Sequence, residues 1–460
     1  MGTTEQATSF LDKSRIKAGD MDHRKKINFN IEKYDAIVPQ GKQQFDNVNL
    51  ARERAKNIKW RALETLDQQL ERFEQAFTKK GGKVIWAEDG EAALREIMLI
   101  CQEKQCKTIV KSKSMVTEEI HLNDFLEKNG IESIETDLGE YIQQLDHEPP
   151  YHIVTPAMHK SKEDIAQLFH EKLHSAPNLS PAELTLVARE KMRSKYLEAP
   201  IGITGANFII AETGSIAITE NEGNGRLSCS FPKTHIVVTG IEKVIPSLTD
   251  LALFWPLLAT FGTGQRVTSY NTIVSGPKQT GEYDGPEEMY IILLDNGRTN
   301  LLSNAKVRES LYCIRCGACL NACPVYKNVG GHTYGTTYSG PIGAVITPHL
   351  KGMREWNHLS YASSLCGNCT AVCPVKINLH EILLENRHEA VQEGDASWME
   401  KVAWRGWKQA CLHRKWMNMG NYKMKNWVIN KMFKGWTRQR ADLDFPEKTF
   451  NESWKERQNG

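Results

Sequence analysis

Leu63, Leu66, Leu70, Phe73 and Phe77 recur at alternating spacings of three and four, laying one apolar stripe along a helix that spans about residues 47–79. The "KKGG" that follows ends it, as glycine commonly does. Short β-rich runs then alternate with helical patterns. "KVIWA" (83–87) precedes "DGEAALREIMLICQEK", "KTIVKSKSM" (107–115) precedes "TEEIHLNDFLEKNG", "IESIETD" (131–137) precedes "LGEYIQQL", and "HIVTP" (152–156) follows. This rhythm predicts an α/β domain with a parallel sheet covered by helices. Between 200 and 300 the pattern turns more β-like, with "IIAETGSIAITE" and "RLSCSF" joined by "NEGNG" as a hairpin turn, and "EEMYIILLDNGR" as a further strand. Residues 1–46 show no sustained period and read as irregular.

At 460 residues the chain is too long for one ordinary core. The pattern divides it into an irregular segment (1–46), the α/β domain (47–300), a cysteine-rich domain (301–396) and a C-terminal helical region (397–460). A net charge of +2 argues against a nucleic-acid binder. No apolar run follows "MGTTEQATSFLDK", and no stretch reaches 18 uninterrupted apolar residues, so a cytoplasmic protein without a spanning helix is expected. The last region changes that picture slightly. Residues 401–440 hold eleven Lys or Arg, no acid, and five tryptophans, and Met424, Val428, Ile429, Met432, Phe433 and Trp436 fall at helical spacing. Such a helix suits the inner face of a membrane, a partner, or packing on the cysteine-rich domain.

Seven of the eleven cysteines lie between Cys313 and Cys373. "CIRCGACLNACPVY" is a complete C-x2-C-x2-C-x3-C-P run of Cys313, Cys316, Cys319 and Cys323. "SSLCGNCTAVCPVKI" repeats it with Cys366, Cys369 and Cys373, but Ser363 stands where the first cysteine belongs. In such runs three thiolates hold one cubane and the fourth reaches to the other. Cys313, Cys316, Cys319 and Cys373 are therefore the expected ligands of a first [4Fe-4S] cluster. Cys323, Cys366 and Cys369 are those of a second, with a non-cysteine donor at its fourth corner. Zinc also favours paired C-x2-C units, yet seven ligands suit tetrahedral sites poorly.

Weaker candidates lie elsewhere. Lys111 and Lys113 sit where a strand gives way to a helix, a place suited to a phosphate or carboxylate, or to a plain solvated loop. Glu135, Glu212 and Thr213 occupy similar turns, and glycines 202, 205, 214, 223 and 225 suit turn chemistry. His332 and His349, between the cysteine runs, suit polar packing better than ligation. Cys101, Cys106, Cys229 and Cys411 read as small core residues. "GTGQRV" lacks the third glycine of a dinucleotide fingerprint, and there is no P-loop, so no flavin or nicotinamide site is signalled.

The segments "VKSKSMVTEEI", "ETDLGEYIQQL", "GITGANFIIAETGSI", "NEGNGRLS", "DNGR" and the two cysteine runs together resemble the lactate utilization protein B family of bacterial iron–sulfur proteins. The resemblance spans about residues 50–390. It implies an N-terminal domain similar to sugar-phosphate isomerases and CoA transferases, followed by a mostly α-helical ferredoxin-like domain with two clusters. It further implies electron transfer during oxidation of L-lactate to pyruvate, with companion proteins A and C and an electron acceptor. In that family too the second run is short by one cysteine. The chain is then a non-catalytic or co-catalytic electron-transfer subunit. The alternatives are an α/β domain that is itself a catalytic or CoA/phosphate-binding module wired by the clusters, or a redox-sensing scaffold.

Overall fold

A computed structural model of the chain describes residues 4–394, 398–432, 434 and 441–459. Its strands, in chain order, are β1 (Lys83–Ala87), β2 (Thr108–Lys111), β3 (Glu132–Glu135), β4 (Ile201–Thr204), β5 (Phe208–Ile210), β6 (Ser215–Glu220), β7 (Thr234–Gly240), β8 (Val244–Ile245), β9 (Tyr270–Val274) and β10 (Glu288–Leu294). The larger sheet has the order β1-β10-β7-β4-β2-β3, and every pairing in it is parallel. Its inner strands are continuous apolar runs: all seven residues of β7 and six of the seven in β10 are buried, as strands covered on both faces must be. Helices Gly90–Glu103 and Pro181–Glu198 pack on β1 and β2. The first is started by Asp89, which accepts the Ala92 N–H; the second by a capping box between Ser180 and Glu183.

Four segments differ from the pattern reading. Residues 1–46 are not irregular: helices Glu5–Gly19 and Met21–Lys42 fill the described part, capped by Thr4 and Asp20. They bury little beyond Phe10, His23, Ile27 and Ile31, too sparse a stripe to register as a period. The 47–79 helix is broken at Thr65 into Val48–Glu64 and Leu66–Thr78. "RLSCSF" is no strand. Gly223, at φ 81°, turns the chain into helix Asn224–Ser230, and β6 pairs with β9 instead. "HIVTP" is no strand either. The His152 ring Nδ1 accepts the N–H groups of Val154 and Thr155 at 3.1 and 3.2 Å, so the backbone bends around its own side chain. β5, β6, β8 and β9 form a smaller mixed sheet, order β8-β5-β6-β9, that the reading did not foresee.

The boundaries at 46 and 300 are not boundaries of packing. One continuous core joins Phe10 and Ile27 to Phe73, Ile209 and Phe254, and on to Leu311, Cys316, Cys319, Ile346, Cys369 and Ile382. The chain divides instead between Gln392 and Glu393 into two compact units. The second holds helices Trp398–Leu412, Arg414–Met417, Tyr422–Met432 and Phe450–Asn459, and none of its described residues is buried. Trp404, Trp407, Trp416 and Trp427 are at least half exposed. Phe433 and Trp436, part of the expected stripe, lie outside the described residues. No helix among the described residues is long and apolar enough to cross a membrane.

Candidate metal centres and an adjoining cavity

The two cysteine loops share one backbone form. Arg315 (φ 61°) and Gly317 (φ 81°) flank Cys316 in the left-handed region, and Leu365 (φ 54°) and Gly367 (φ 80°) flank Cys366 in the same way. Two left-handed residues in three curl the chain about a point, and a short helix follows each loop: Ala318–Asn321 and Asn368–Val372. In the first loop the Arg315 N–H donates to Cys313 Sγ at 3.4 Å. In the second, the Leu365 N–H donates to Ser363 Oγ at 3.2 Å. Ser363 therefore holds, in its loop, the corner that Cys313 holds in the other.

The thiols fall into two neighbourhoods. Cys313, Cys316, Cys319 and Cys373 line one small cavity walled by Ile153, Ile342, Val375 and Leu379. Burial pushes the Cys319 thiol up, and so do Cys313, Cys316, Cys373 and Cys369. Burial, opposed by the Ile377 N–H, lifts Cys373 to about 12, with Cys313 adding to the rise. In the other group burial, Cys323 and Cys366 lift Cys369 to about 11, and burial lifts Cys323 with Cys366 contributing. Thiols this crowded resist ionisation until a cation binds them all. Arg52, on helix Val48–Glu64, fastens the second run by donating to the Cys373 carbonyl at 2.8–2.9 Å and to that of Ala371 at 2.7 Å.

Cations surround the first neighbourhood. Burial drives Lys59 down to about 7 and Lys243 down to about 8, and the charge of Cys313 acts on both and on Arg315. Lys59 donates to the carbonyls of Glu242 and Val244. Arg298 bridges Glu242 at 2.7 Å and Glu119 at 2.8 Å, and Arg315 lies 3.6 Å from Glu242 with its guanidinium over the Tyr338 ring. Four cations thus face two buried carboxylates, a positive surplus beside Cys313. A thiolate-ligated cluster, which carries net negative charge, fits that setting.

A cavity of about 270 Å³ opens at the carboxyl ends of β2, β4 and β7, where open α/β sheets bind ligands. Lys113, Lys243, Arg315, Asp137, Glu220 and Glu222 supply its charges, and Cys316 is the cysteine on its wall. Cys316 also lines the small cavity of the first thiol group. Helix Leu251–Thr263 comes close at Gly262, where a Cβ would stand 3.2 Å from the Cys316 carbonyl.

Residues 70–294 match the LUD domain, and residues 309–377 match a 4Fe-4S dicluster domain. Lactate utilization protein B of Bacillus velezensis is 49% identical over 366 residues, 79% of this chain and 77% of that one. The protein of the same name from Bacillus subtilis is 51% identical over 351 residues, 76% and 73% of the two chains. That of Bacillus licheniformis is 50% identical over 351 residues, with the same coverage. The chain belongs to the lactate utilization protein B family. Iron–sulfur chemistry in this lactate utilization protein B family member follows from the dicluster domain.

The weaker candidates part company. Lys111 is neither a ligand lysine nor solvated: it is fully buried against Glu135 at 2.6 Å, Glu118 at 3.0 Å and Glu140 at 4.0 Å, which makes Glu135 its internal partner. Lys113 reaches the cavity, its Nζ donating to the Val154 carbonyl at 2.8 Å. Glu212 accepts from Ser247 at 2.7 Å and the Thr213 carbonyl from Lys80 at 2.7 Å, neither on the cavity. Gly205 and Gly225 line it, Gly202 packs on the Ser228 carbonyl, and Gly214 and Gly223 serve turns at positive φ. His332 Nε2 donates to the Pro149 carbonyl at 2.7 Å and His349 Nε2 meets Asn386 Oδ1 at 2.9 Å, both polar packing. Cys101, Cys106 and Cys229 are buried, but Cys411 is exposed, on a helix that buries nothing. Lys243, Arg315, Asp137, Glu220 and Glu222 were missed. "NEGNGRLS" and "ETDLGEY" carried Glu222 and Asp137, but not as candidate ligands.

Proposed function

We propose that this chain is an iron–sulfur electron-transfer component of L-lactate oxidation to pyruvate, working with companion proteins A and C and an electron acceptor. Cys313, Cys316, Cys319 and Cys373 would hold one [4Fe-4S] cluster, and Cys323, Cys366 and Cys369 a second whose remaining corner faces Ser363. The observation that supports the reading is that Cys313, Cys316, Cys319 and Cys373, drawn from both runs, line one small cavity, while Cys323, Cys366 and Cys369 act on one another. The names of the curated relatives supply the metabolic setting. Bound clusters would exchange one electron each. Oxidising a 2-hydroxy acid releases two, so a pair of centres matches that demand. The chain's own residues bury Cys316, Cys319, Cys369 and Cys373, leave Cys366 exposed, and set positive charge beside Cys313.

The test is anaerobic purification with iron, sulfide and zinc analysis, then lactate turnover with an artificial acceptor by this chain alone and with its two companions. Iron and sulfide near two clusters per chain, and turnover only in the complex, are expected. Stoichiometric zinc without iron would end the electron-transfer reading, and robust turnover by the isolated chain would refute the division of labour. A second reading, in which the α/β domain is itself a small-molecule module wired by the clusters, is favoured by the cavity at the strand ends.

A further inference from the structure

The geometry points to the cavity at the ends of β2, β4 and β7 as a binding site for a small hydroxycarboxylate, its carboxylate held by Lys243 and Arg315 and its hydroxyl facing Asp137, Glu220 and Glu222. The inference deepens the electron-transfer reading and rests on it, since Cys316, on the cavity wall, is a proposed ligand of the first cluster.

Lys243 carries the argument. It is 6% exposed, lines the cavity, and makes no hydrogen bond or ion pair among the described residues. An ammonium withdrawn from water without an acceptor is costly, so buried charges are normally paired. The nearby acid forms no ion pair with it: Glu242 Oε2 is taken by Arg298 at 2.7 Å, and Oε1 lies 3.6 Å from Arg315. Arg315 is in the same position. Its Nη1 is buried without a partner, while its Nη2 reaches Glu242 only at 3.6 Å. A guanidinium fork beside an ammonium is the donor set that a carboxylate takes up with most of its lone pairs satisfied.

The acids form the other pole. Asp137 and Glu220 act on Glu222, which burial lifts to about 7, whereas Lys243 and Arg315 act on one another and feel Cys313. Asp137, Glu220 and Glu222 already accept backbone N–H groups, from Glu140, from Gly225 and Arg226, and from Leu138. Carboxylates held this way still have lone pairs for a hydroxyl. They repel a phosphate or a second carboxylate. The size agrees, since about 270 Å³ lies just below the usual range of ligand pockets and leaves little room for a nucleotide.

The experiment is calorimetric titration of the anaerobic, cluster-loaded full-length chain with L-lactate, with L-malate and with inorganic phosphate, together with iron analysis and dithionite reduction. Saturable binding of L-lactate at one site per chain is expected, at least tenfold tighter than malate or phosphate. Lys243→Gln should weaken it at least tenfold, measured per chain that still carries iron. The ranking of the three ligands on the unaltered protein stands even if that variant fails to fold. No saturable heat with lactate, phosphate or malate binding as tightly as lactate, or a folded Lys243→Gln that binds lactate like the parent would each overturn the inference. Two reducible clusters without lactate binding would sink this inference and leave the electron-transfer reading standing. Lactate binding by a chain that carries zinc and no iron would do the reverse.

Discussion

Replacing Arg298 by Met removes the cation that joins two buried carboxylates. Its Nε donates to Glu242 at 2.7 Å, and its Nη1 and Nη2 donate to Glu119 at 2.9 and 2.8 Å. Arg298, Glu242 and Glu119 are 2%, 1% and 7% exposed, so water cannot take over. Deleting one partner of a buried ion pair costs about 3–5 kcal/mol. Glu119 keeps Tyr338 at 2.5 Å and Asn296 at 2.6 Å, and Glu242 keeps Arg315 at 3.6 Å. Those surviving partners place the loss near the lower end, about 3 kcal/mol. The pH dependence identifies its origin. Burial pushes Glu242 up, but Arg298, Lys243 and Arg315 outweigh it and hold the carboxyl at about 2, below its ordinary value of 4.5. Its ionised form therefore adds stability above about pH 4.5, and that contribution disappears as pH falls through about 2. Without Arg298 the carboxyl pKa rises, so protonation relieves the variant earlier and its deficit shrinks from pH 8 toward pH 5. Urea unfolding of the anaerobic protein at both pH values measures this. With a slope of about 3 kcal/mol per M, the midpoint should drop by about 1 M at pH 8 and by less at pH 5. An equal drop at both would mean that lost packing, not uncompensated charge, sets the cost, and the reasoning would be wrong.

Ser363→Cys should give the second site a fourth thiolate and slow its loss of iron in air, while Ser363→Ala should change iron content little; if Ser363→Ala empties the site as fully as Cys366→Ala, the serine is a true ligand. Cys313→Ala and Cys366→Ala should each remove a different cluster, and low-temperature electron paramagnetic resonance on the reduced variants would show whether the same signal disappears from both. Deleting residues 401–460 should leave iron and sulfide per chain unchanged, because no described residue of that region is buried; failure of the truncated chain to hold clusters would make the region part of the core.

Much of the parallel sheet could be read directly. "KVIWA" is β1 residue for residue, and "LGEYIQQL" is helix Leu138–Leu145, because in each the local pattern and the tertiary burial agree. The failures occur where one residue overrides the pattern. Gly223 turned a hairpin into a helix start, and His152 bent an apolar run that would otherwise extend. The cysteines announced themselves by spacing alone. The cavity did not, since Lys243 lies 21 positions from Glu222 and 72 from Arg315, and the three meet only when β7, β6 and the first cysteine loop converge. Lys111 shows the converse. Its position at a strand end suggested a ligand, but three glutamates from other segments enclose it.

The bond from Arg52 to the Cys373 carbonyl joins residues 321 positions apart. A ribosome adding about 5–20 residues per second would finish the helix that carries Arg52 roughly 16–60 s before Cys373 exists. Through that interval the sheet can close, but the wall of the cavity lined by the four thiols cannot. Arg52 and its neighbour Lys56, which reaches Glu309 at 3.2 Å and the Lys376 carbonyl at 3.3 Å, therefore act as a late latch on the chamber. A cluster held by Cys313, Cys316, Cys319 and Cys373 could then be completed only on the finished chain, and the order in which this protein is made would set the order in which it can be loaded.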